Sequence, residues 1–230
     1  MRQILFLILL LAVGLVFAQP GPLLSEALRA SSARQAKIAQ ELKSFPREAF
    51  GPEVGNQLRR LINDDRAGGR KDYILLAGFL GEAATVEELA AKSPPTNLKQ
   101  VINLARVRTG DAAKRANLLK NVARYPVDDE FVYTVIPLLV YTRQREVIDF
   151  IWQQVVTENL ACSPADAETP GRIDCAARLV EYLAPIIEDF PVEHDDEGNL
   201  LTPDYGKAIA EIRRWYAVHR EDYRIITNTY

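Results

Sequence analysis

Apolar residues recur at the spacing of an α-helix along most of the chain after residue 18. In segment 24–45, Leu24, Leu28 and Leu42 can share one helix face, and segments 53–62, 173–190 and 204–226 show the same periodicity. Prolines and glycines separate these segments, as they do between helices. The pattern predicts an all-α fold.

Helix pairs recur in the middle of the chain. Apolar blocks that begin at Ile74, Val101 and Val135 are each followed by a short polar turn and a second apolar segment, and their starts are 27 and 34 residues apart. The apolar face of one helix pair needs a stacked neighbour to cover it. We therefore expect an irregular α-solenoid of helix pairs, with a non-repetitive helical bundle as the alternative.

Residues 76–81, with the sequence LAGFLG, form an apolar helix end followed by a glycine turn, and Pro137 lies inside the third apolar block. HEAT-type repeats have a similar first helix and turn, and they often contain a proline that kinks a helix. In these features, residues 73–156 resemble a divergent run of HEAT-type helical repeats. The resemblance implies a HEAT-like stack of helix pairs.

The first 18 residues have the layout of a cleavable signal peptide. Arg2 precedes an apolar run over residues 4–17, and short side chains at Val16 and Ala18 favour cleavage after Ala18. The run is shorter than the roughly 20 residues that cross a bilayer, which favours cleavage over anchoring. We expect a signal peptide at 1–18 and a single helical domain at 19–230, secreted or periplasmic and without stable membrane insertion.

The chain has two cysteines, Cys162 and Cys175, in a stretch rich in proline and glycine. In an oxidising compartment, an even pair at loop spacing predicts a disulfide. A bridge that closes so short a loop contributes roughly 3 kcal/mol in the chain-entropy model. Two separate buried thiols are the alternative.

The two halves of the expected domain differ in charge. Residues 19–125 contain 18 Lys and Arg against 11 Asp and Glu, whereas residues 126–230 contain 9 against 20. The charge of the basic half can serve to bind an anionic envelope polymer or an acidic partner protein. The alternative is that these charges are simply solvated and attract the acidic half of the same chain. Nucleic acid is not an expected partner, because the basic half lacks interleaved aromatic residues. The candidate basic patch consists of Arg59, Arg60, Arg106, Arg108, Lys114 and Arg115.

No common catalytic motif is present, and the chain contains two histidines. The acidic triplet at residues 128–130 lies at the start of an apolar helix. Carboxylates at such a position accept hydrogen bonds from the free backbone N–H groups of the first turn, so helix capping explains the triplet better than catalysis. No catalytic residue is assigned from the sequence.

The loop at residues 193–204 resembles the calcium loop of an EF-hand. Gly198 stands at its sixth position, and the oxygen-bearing side chains at positions one, three, five and twelve are Glu193, Asp195, Glu197 and Asp204. A turn, or a short β-hairpin near 192–202, explains the same residues more simply, because glycine and acidic side chains are ordinary in turns. We expect a structural turn, no tight calcium site and no cofactor.

These observations together predict an exported, non-enzymatic interaction or scaffold protein that binds another protein through a helical-repeat surface. The alternative is a helical enzyme that acts on an envelope polymer with Glu and Asp as acid and base. A pair of inward-facing carboxylates in one deep cleft would favour the enzyme. A broad groove without such a pair would favour the scaffold.

Overall fold

The computed structural model describes residues 19–158, 160–163 and 171–230, and the predicted signal peptide lies outside these ranges. The protein is built from α-helices, with a two-stranded antiparallel sheet formed by β1 (Ala161–Cys162) and β2 (Ile173–Asp174). This confirms the predicted all-α fold. The helices are α1 (Pro20–Ala27), α2 (Ser32–Leu42), α3 (Val54–Asn63), α4 (Arg70–Leu80), α5 (Ala83–Ala91), α6 (Thr96–Arg108), α7 (Ala112–Val122), α8 (Asp129–Thr134), α9 (Ile136–Thr142), α10 (Arg145–Val156), α11 (Ala176–Leu183) and α12 (Tyr205–His219).

Side-chain caps mark the starts of several helices. The side chain of Asp128 accepts a hydrogen bond from the Phe131 backbone N–H at 2.9 Å, which agrees with the capping role predicted for the acidic triplet. Asp111 and Asp204 cap α7 and α12 in the same way. Each cap satisfies a backbone donor that has no partner inside its helix.

Some predicted helix boundaries are wrong. The expected helix at 24–45 is two helices, because Ser31 has an extended backbone and caps α2 with its side chain. The segment 173–190 begins in β2, and α11 passes into a 3₁₀ turn that contains Pro185, since proline cannot donate the next helical hydrogen bond. The last helix ends at His219, before the end of the periodic apolar pattern.

The helices stack in two rows. In one row, α2, α4, α6, α9 and α11 contact each other in that order. The other row has two parts. In the first part, α3 contacts α5. In the second part, α7 contacts α10, and α10 contacts α12. This arrangement resembles a stack of helix pairs, while membership of the HEAT family stays a prediction.

Two groups of buried side chains fill the interior. The first, called here the N-terminal core, draws its buried residues from positions 24–105. The second, the C-terminal core, draws them from positions 107–223 and contains the fully buried Trp152. The helix α6 contributes to both cores and therefore lies at their junction.

The C-terminal tail, residues 220–230, joins the two cores. Ile225 forms an isolated β-bridge with Ile187, which belongs to the C-terminal core. The backbone N–H of Arg47 donates to the carbonyl of Asn228 at 2.9 Å, and the Tyr230 ring lies 5.7 Å from that of Phe79 in the N-terminal core. The tail thus contacts both halves of the chain.

Cys162 and Cys175 are joined by a disulfide at the base of the small sheet. Their Cα atoms are 4.9 Å apart and their sulfurs 2.05 Å apart, so the predicted pairing at disulfide distance is confirmed. Both residues are fully buried in the C-terminal core. Among the residues that the structure describes, no helix combines the length and apolar character needed to cross a bilayer.

Candidate protein-binding groove

An open groove of about 500 Å³ lies between α6 and α7, with residues at the start of α9 at its base. We call it the α6–α7 groove. Its floor is apolar and is formed by Leu104, Val107, Leu118, Val122, Val135, Leu138 and Leu139. Its rim is polar and is formed by Thr96, Lys99, Gln100, Asn103, Lys114, Asn117, Asn121 and Tyr125.

The turn between α6 and α7 sets the two walls of the groove. Gly110 adopts a positive φ of 100°, and Asp111 caps α7 while its carboxylate pairs with Arg106 at 2.8 Å. Glycine suits this position because a left-handed backbone is strained for residues with a Cβ. The two helices therefore run back along each other, and each offers one long face to the groove.

The face of α7 is only partly covered. Among the residues of α7, all of which the structure describes, Val122 alone is buried. Leu118, one turn earlier on the same face, is half-buried and packs at the edge of the C-terminal core. Residues i and i+4 lie on the same side of a helix, so Lys114 on the rim and Leu118 and Val122 on the floor form a continuous strip on the α7 side of the groove.

The groove has a cationic rim. Its lining within the described residues contains Lys99 and Lys114 but no carboxylate. The neighbouring Arg106 and Arg115 pair with Glu87 and Glu146 at 2.6 and 2.9 Å, whereas neither rim lysine forms an ion pair with a described residue. The ammonium groups of Lys99 and Lys114 therefore give the rim a net positive charge.

The six residues of the predicted basic patch lie on three helices, α3, α6 and α7. Arg59 pairs with Glu88 at 3.4 Å, and Arg106 and Arg115 also have the carboxylate partners given above. Arg60 is exposed, and Lys114 belongs to the groove. Binding of an anion by these six residues together stays a prediction.

Arg108, the remaining residue of that patch, is buried and not on the surface. Its guanidinium donates hydrogen bonds to main-chain oxygens of Tyr141, Thr227 and Thr229, and it lies 5.4 Å from the centre of the Phe79 ring. Burial lowers the pKa of the guanidinium to about 10. Arg108 therefore fastens the end of α6 to α9 and to the C-terminal tail.

Arg143, which sequence reasoning missed, has a similar role. Its backbone is left-handed, with φ of 51°, and its guanidinium donates to main-chain oxygens of Val140, Ile226 and Tyr230. Burial lowers its pKa to about 9. Local sequence patterns could not reveal this role, because the two partners of Arg143 in the C-terminal tail are 83 and 87 residues away in the sequence.

The acidic loop at residues 193–204 forms the predicted turn. His194 and Leu200 form an antiparallel β-bridge, and the carboxylate of Asp195 accepts hydrogen bonds from the backbone N–H groups of Glu197 and Asn199, each at 2.9 Å. The Asn199 side chain also donates to it, and these bonds lower the pKa of Asp195. The hairpin predicted near 192–202 thus consists of a single bridge.

Two of the four candidate calcium ligands already have other roles. Asp195 holds the turn, and Asp204 caps α12 through the Lys207 backbone N–H at 3.0 Å and pairs with the Lys207 ammonium at 3.0 Å. Glu193 and Glu197 are exposed. Within the described part of the chain, no group of three or more His, Cys, Asp and Glu side chains is placed to hold a metal ion. That the loop binds no calcium stays a prediction.

We expect calorimetric titration of the protein with calcium to show no binding at micromolar concentrations. A calcium loop needs six to eight oxygen ligands and a bidentate carboxylate at its end, and here the closing carboxylate of Asp204 already caps a helix. The matched control is Asp195→Ala, which should leave the titration unchanged. A micromolar dissociation constant that this substitution abolishes would show that the loop is a calcium site.

A second depression lies beside the C-terminal tail and contains the carboxylates of Glu181, Asp196 and Glu197. Asp196 and Glu197 are exposed to solvent. Glu181 accepts a hydrogen bond from the Tyr205 hydroxyl at 3.1 Å and pairs with Arg178 at 3.3 Å. The one carboxylate of this set that is turned away from solvent is therefore held by two other side chains.

Comparison of the chain with protein families, with characterised proteins and with solved structures finds no match. The geometry and charge of the α6–α7 groove are therefore the observations on which a function can be proposed.

Proposed function

We propose that the protein is a non-enzymatic interaction protein that acts outside the cytoplasm and binds another protein in the α6–α7 groove. The observation that carries this proposal is the apolar floor of the groove beneath a rim of lysines and amides, with no carboxylate in the lining. Apolar surface of this kind, surrounded by polar side chains, is typical of protein-binding sites.

Two further observations support the proposal. A broad groove without paired carboxylates favours a binding surface over an acid–base catalyst. The carboxylates of the second depression are either exposed or held by Arg178 and Tyr205. In a larger depression beside α4, the two carboxylates, Asp65 and Asp72, form ion pairs with Arg70 and Lys43. The disulfide between Cys162 and Cys175 favours an oxidising compartment. The predicted likeness to HEAT-type repeats agrees with this role, since stacked helix pairs offer extended binding surfaces.

Site-specific photo-crosslinking in the organism that makes the protein tests the proposal. A photoreactive amino acid replaces Asn117 on the rim of the groove, and in a matched control it replaces Val218, which is 76% exposed on α12. We expect a discrete crosslinked product from position 117 that is absent at position 218. The same products at both positions, or none at position 117, would contradict the proposal.

A further inference from the structure

We infer that the segment bound in the α6–α7 groove is an amphipathic α-helix of about three turns, with apolar residues on one face and Asp or Glu beside it. This inference rests on the function proposed above and specifies the partner's chemistry. It follows from three properties of the groove, which are its length, the kind of backbone in its walls and its charge.

The length of the groove matches a short helix. Its lining on α6 extends from Thr96 to Val107, and its lining on α7 extends from Lys114 to Val122 and on to Tyr125. At 1.5 Å per residue, twelve residues of helix extend over about 18 Å, which is a little more than three turns. A helix that lies along this groove can place side chains at i, i+3 or i+4, and i+7 against the apolar floor.

The backbone of the walls favours a helix over an extended strand. Both walls are α-helices, whose backbone N–H and C=O groups bond within the helix, so they offer no free sheet edge for a strand to join. A strand laid here would leave its own backbone polar groups unpaired against an apolar floor, which costs free energy. A helix satisfies these groups itself. Grooves that bind polyproline segments are lined by aromatic rings, and Tyr125 is the one aromatic side chain among the described lining residues.

The charge of the rim selects an acidic partner. Lys99 and Lys114 lie on opposite walls, so a helix between them meets an ammonium group on each side. Lys120 in the last turn of α7 and Arg124 just after it are exposed and add positive charge near this end of the helix, outside the groove lining. Opposite charges at the rim of an interface increase the association rate and disfavour partners of the wrong sign. The amides of Gln100, Asn103 and Asn117 can bond to polar side chains at the flanks of the helix.

Fluorescence anisotropy with three labelled peptides tests the inference on the whole protein. The first peptide is an acidic helix of about four turns with leucines at i, i+4, i+7 and i+11, the second carries Lys in place of its Glu, and the third carries a central proline that breaks the helix. We expect the acidic helix to bind at least about tenfold more tightly than either of the others. Its affinity should fall as the salt concentration rises.

Charge reversal shows whether binding takes place at the groove. The double substitution Lys99→Glu and Lys114→Glu should reverse the preference, so that the basic peptide binds more tightly than the acidic one. The matched control, Lys37→Glu with Lys71→Glu, makes the same change in net charge at exposed positions on α2 and α4, and it should keep the preference for the acidic peptide.

The inference is overturned if the acidic peptide fails to bind at about 1 mM, a concentration at which even weak specific binding is seen. Equal binding of the acidic and basic peptides, or of the helical and proline-containing ones, overturns it as well.

Sequencing the partner segment crosslinked at position 117 separates this inference from the proposed function. An extended or basic segment at that position contradicts the helix and leaves the groove as the binding site, whereas the absence of any crosslink contradicts the groove.

Discussion

Replacing Arg108 with methionine is expected to lower the free energy of unfolding by about 2–4 kcal/mol. The guanidinium satisfies main-chain oxygens on α9 and the C-terminal tail, and a buried acceptor that loses its donor costs about 1–3 kcal/mol. Part of this loss is offset because the substitution also removes a buried charge that had been taken out of water. Methionine keeps an apolar side chain of similar length at this buried position.

Urea denaturation measures this loss, and hydrogen exchange shows where it arises. Exchange should rise most in the C-terminal tail, because Thr227 and Thr229 lose their common donor. Arg60→Met is the matched control, since Arg60 is exposed and its replacement should change the free energy of unfolding by no more than about 0.5 kcal/mol. Equal effects of the two substitutions would mean that Arg108 does not hold the tail.

Replacing Trp152 with alanine is expected to lower the free energy of unfolding by about 3–5 kcal/mol, the usual cost of removing a large buried aromatic side chain. Trp152 is fully buried, and its ring is stacked on that of Tyr216 at 4.5 Å between centroids. The rings of Phe190, Trp215 and Tyr223 surround it at 6.1 to 6.4 Å. Alanine would leave a cavity between α10 and α12.

Trp152→Phe provides the comparison for this loss. The indole Nε1 of Trp152 is buried and has no hydrogen-bond acceptor among the described residues. Phenylalanine removes that unpaired donor and keeps most of the aromatic contacts, so it should cost less than half as much as alanine. Chemical denaturation of both variants measures the difference. Equal losses would show that the ring stack contributes little to the C-terminal core.

Much of the fold could be predicted from local sequence patterns. The helical periodicity, the helix pairs and the capping position of Asp128 depend on residues a few positions apart, and each is present in the structure. The break between α1 and α2 was missed because the apolar spacing continues across it. The decisive residue there is Ser31, whose side chain bonds to the Arg34 backbone N–H and begins a new helix.

The site was less predictable, because it depends on contacts between distant parts of the chain. Arg108 looked like a member of a surface patch, and its partner Thr227 is 119 residues away. The strip of Lys114, Leu118 and Val122 is visible in the sequence, but the sequence does not show whether another helix covers it. In the structure, the neighbouring helix and α9 leave part of that face open and so form the groove.

The central claim is that a partner protein binds in the α6–α7 groove. The most direct test is to measure how tightly the partner crosslinked at position 117 binds to the Leu118→Asp variant. Leu118 lies on the floor between the two walls, so a carboxylate there would disrupt the apolar contact and repel an acidic helix. Val218→Asp, a substitution of an exposed apolar residue on α12, is the matched control, and thermal unfolding shows that both variants are folded. We predict that Leu118→Asp weakens binding by about tenfold or more, and that Val218→Asp leaves it unchanged. Unchanged affinity of a folded Leu118→Asp variant would contradict binding in the groove.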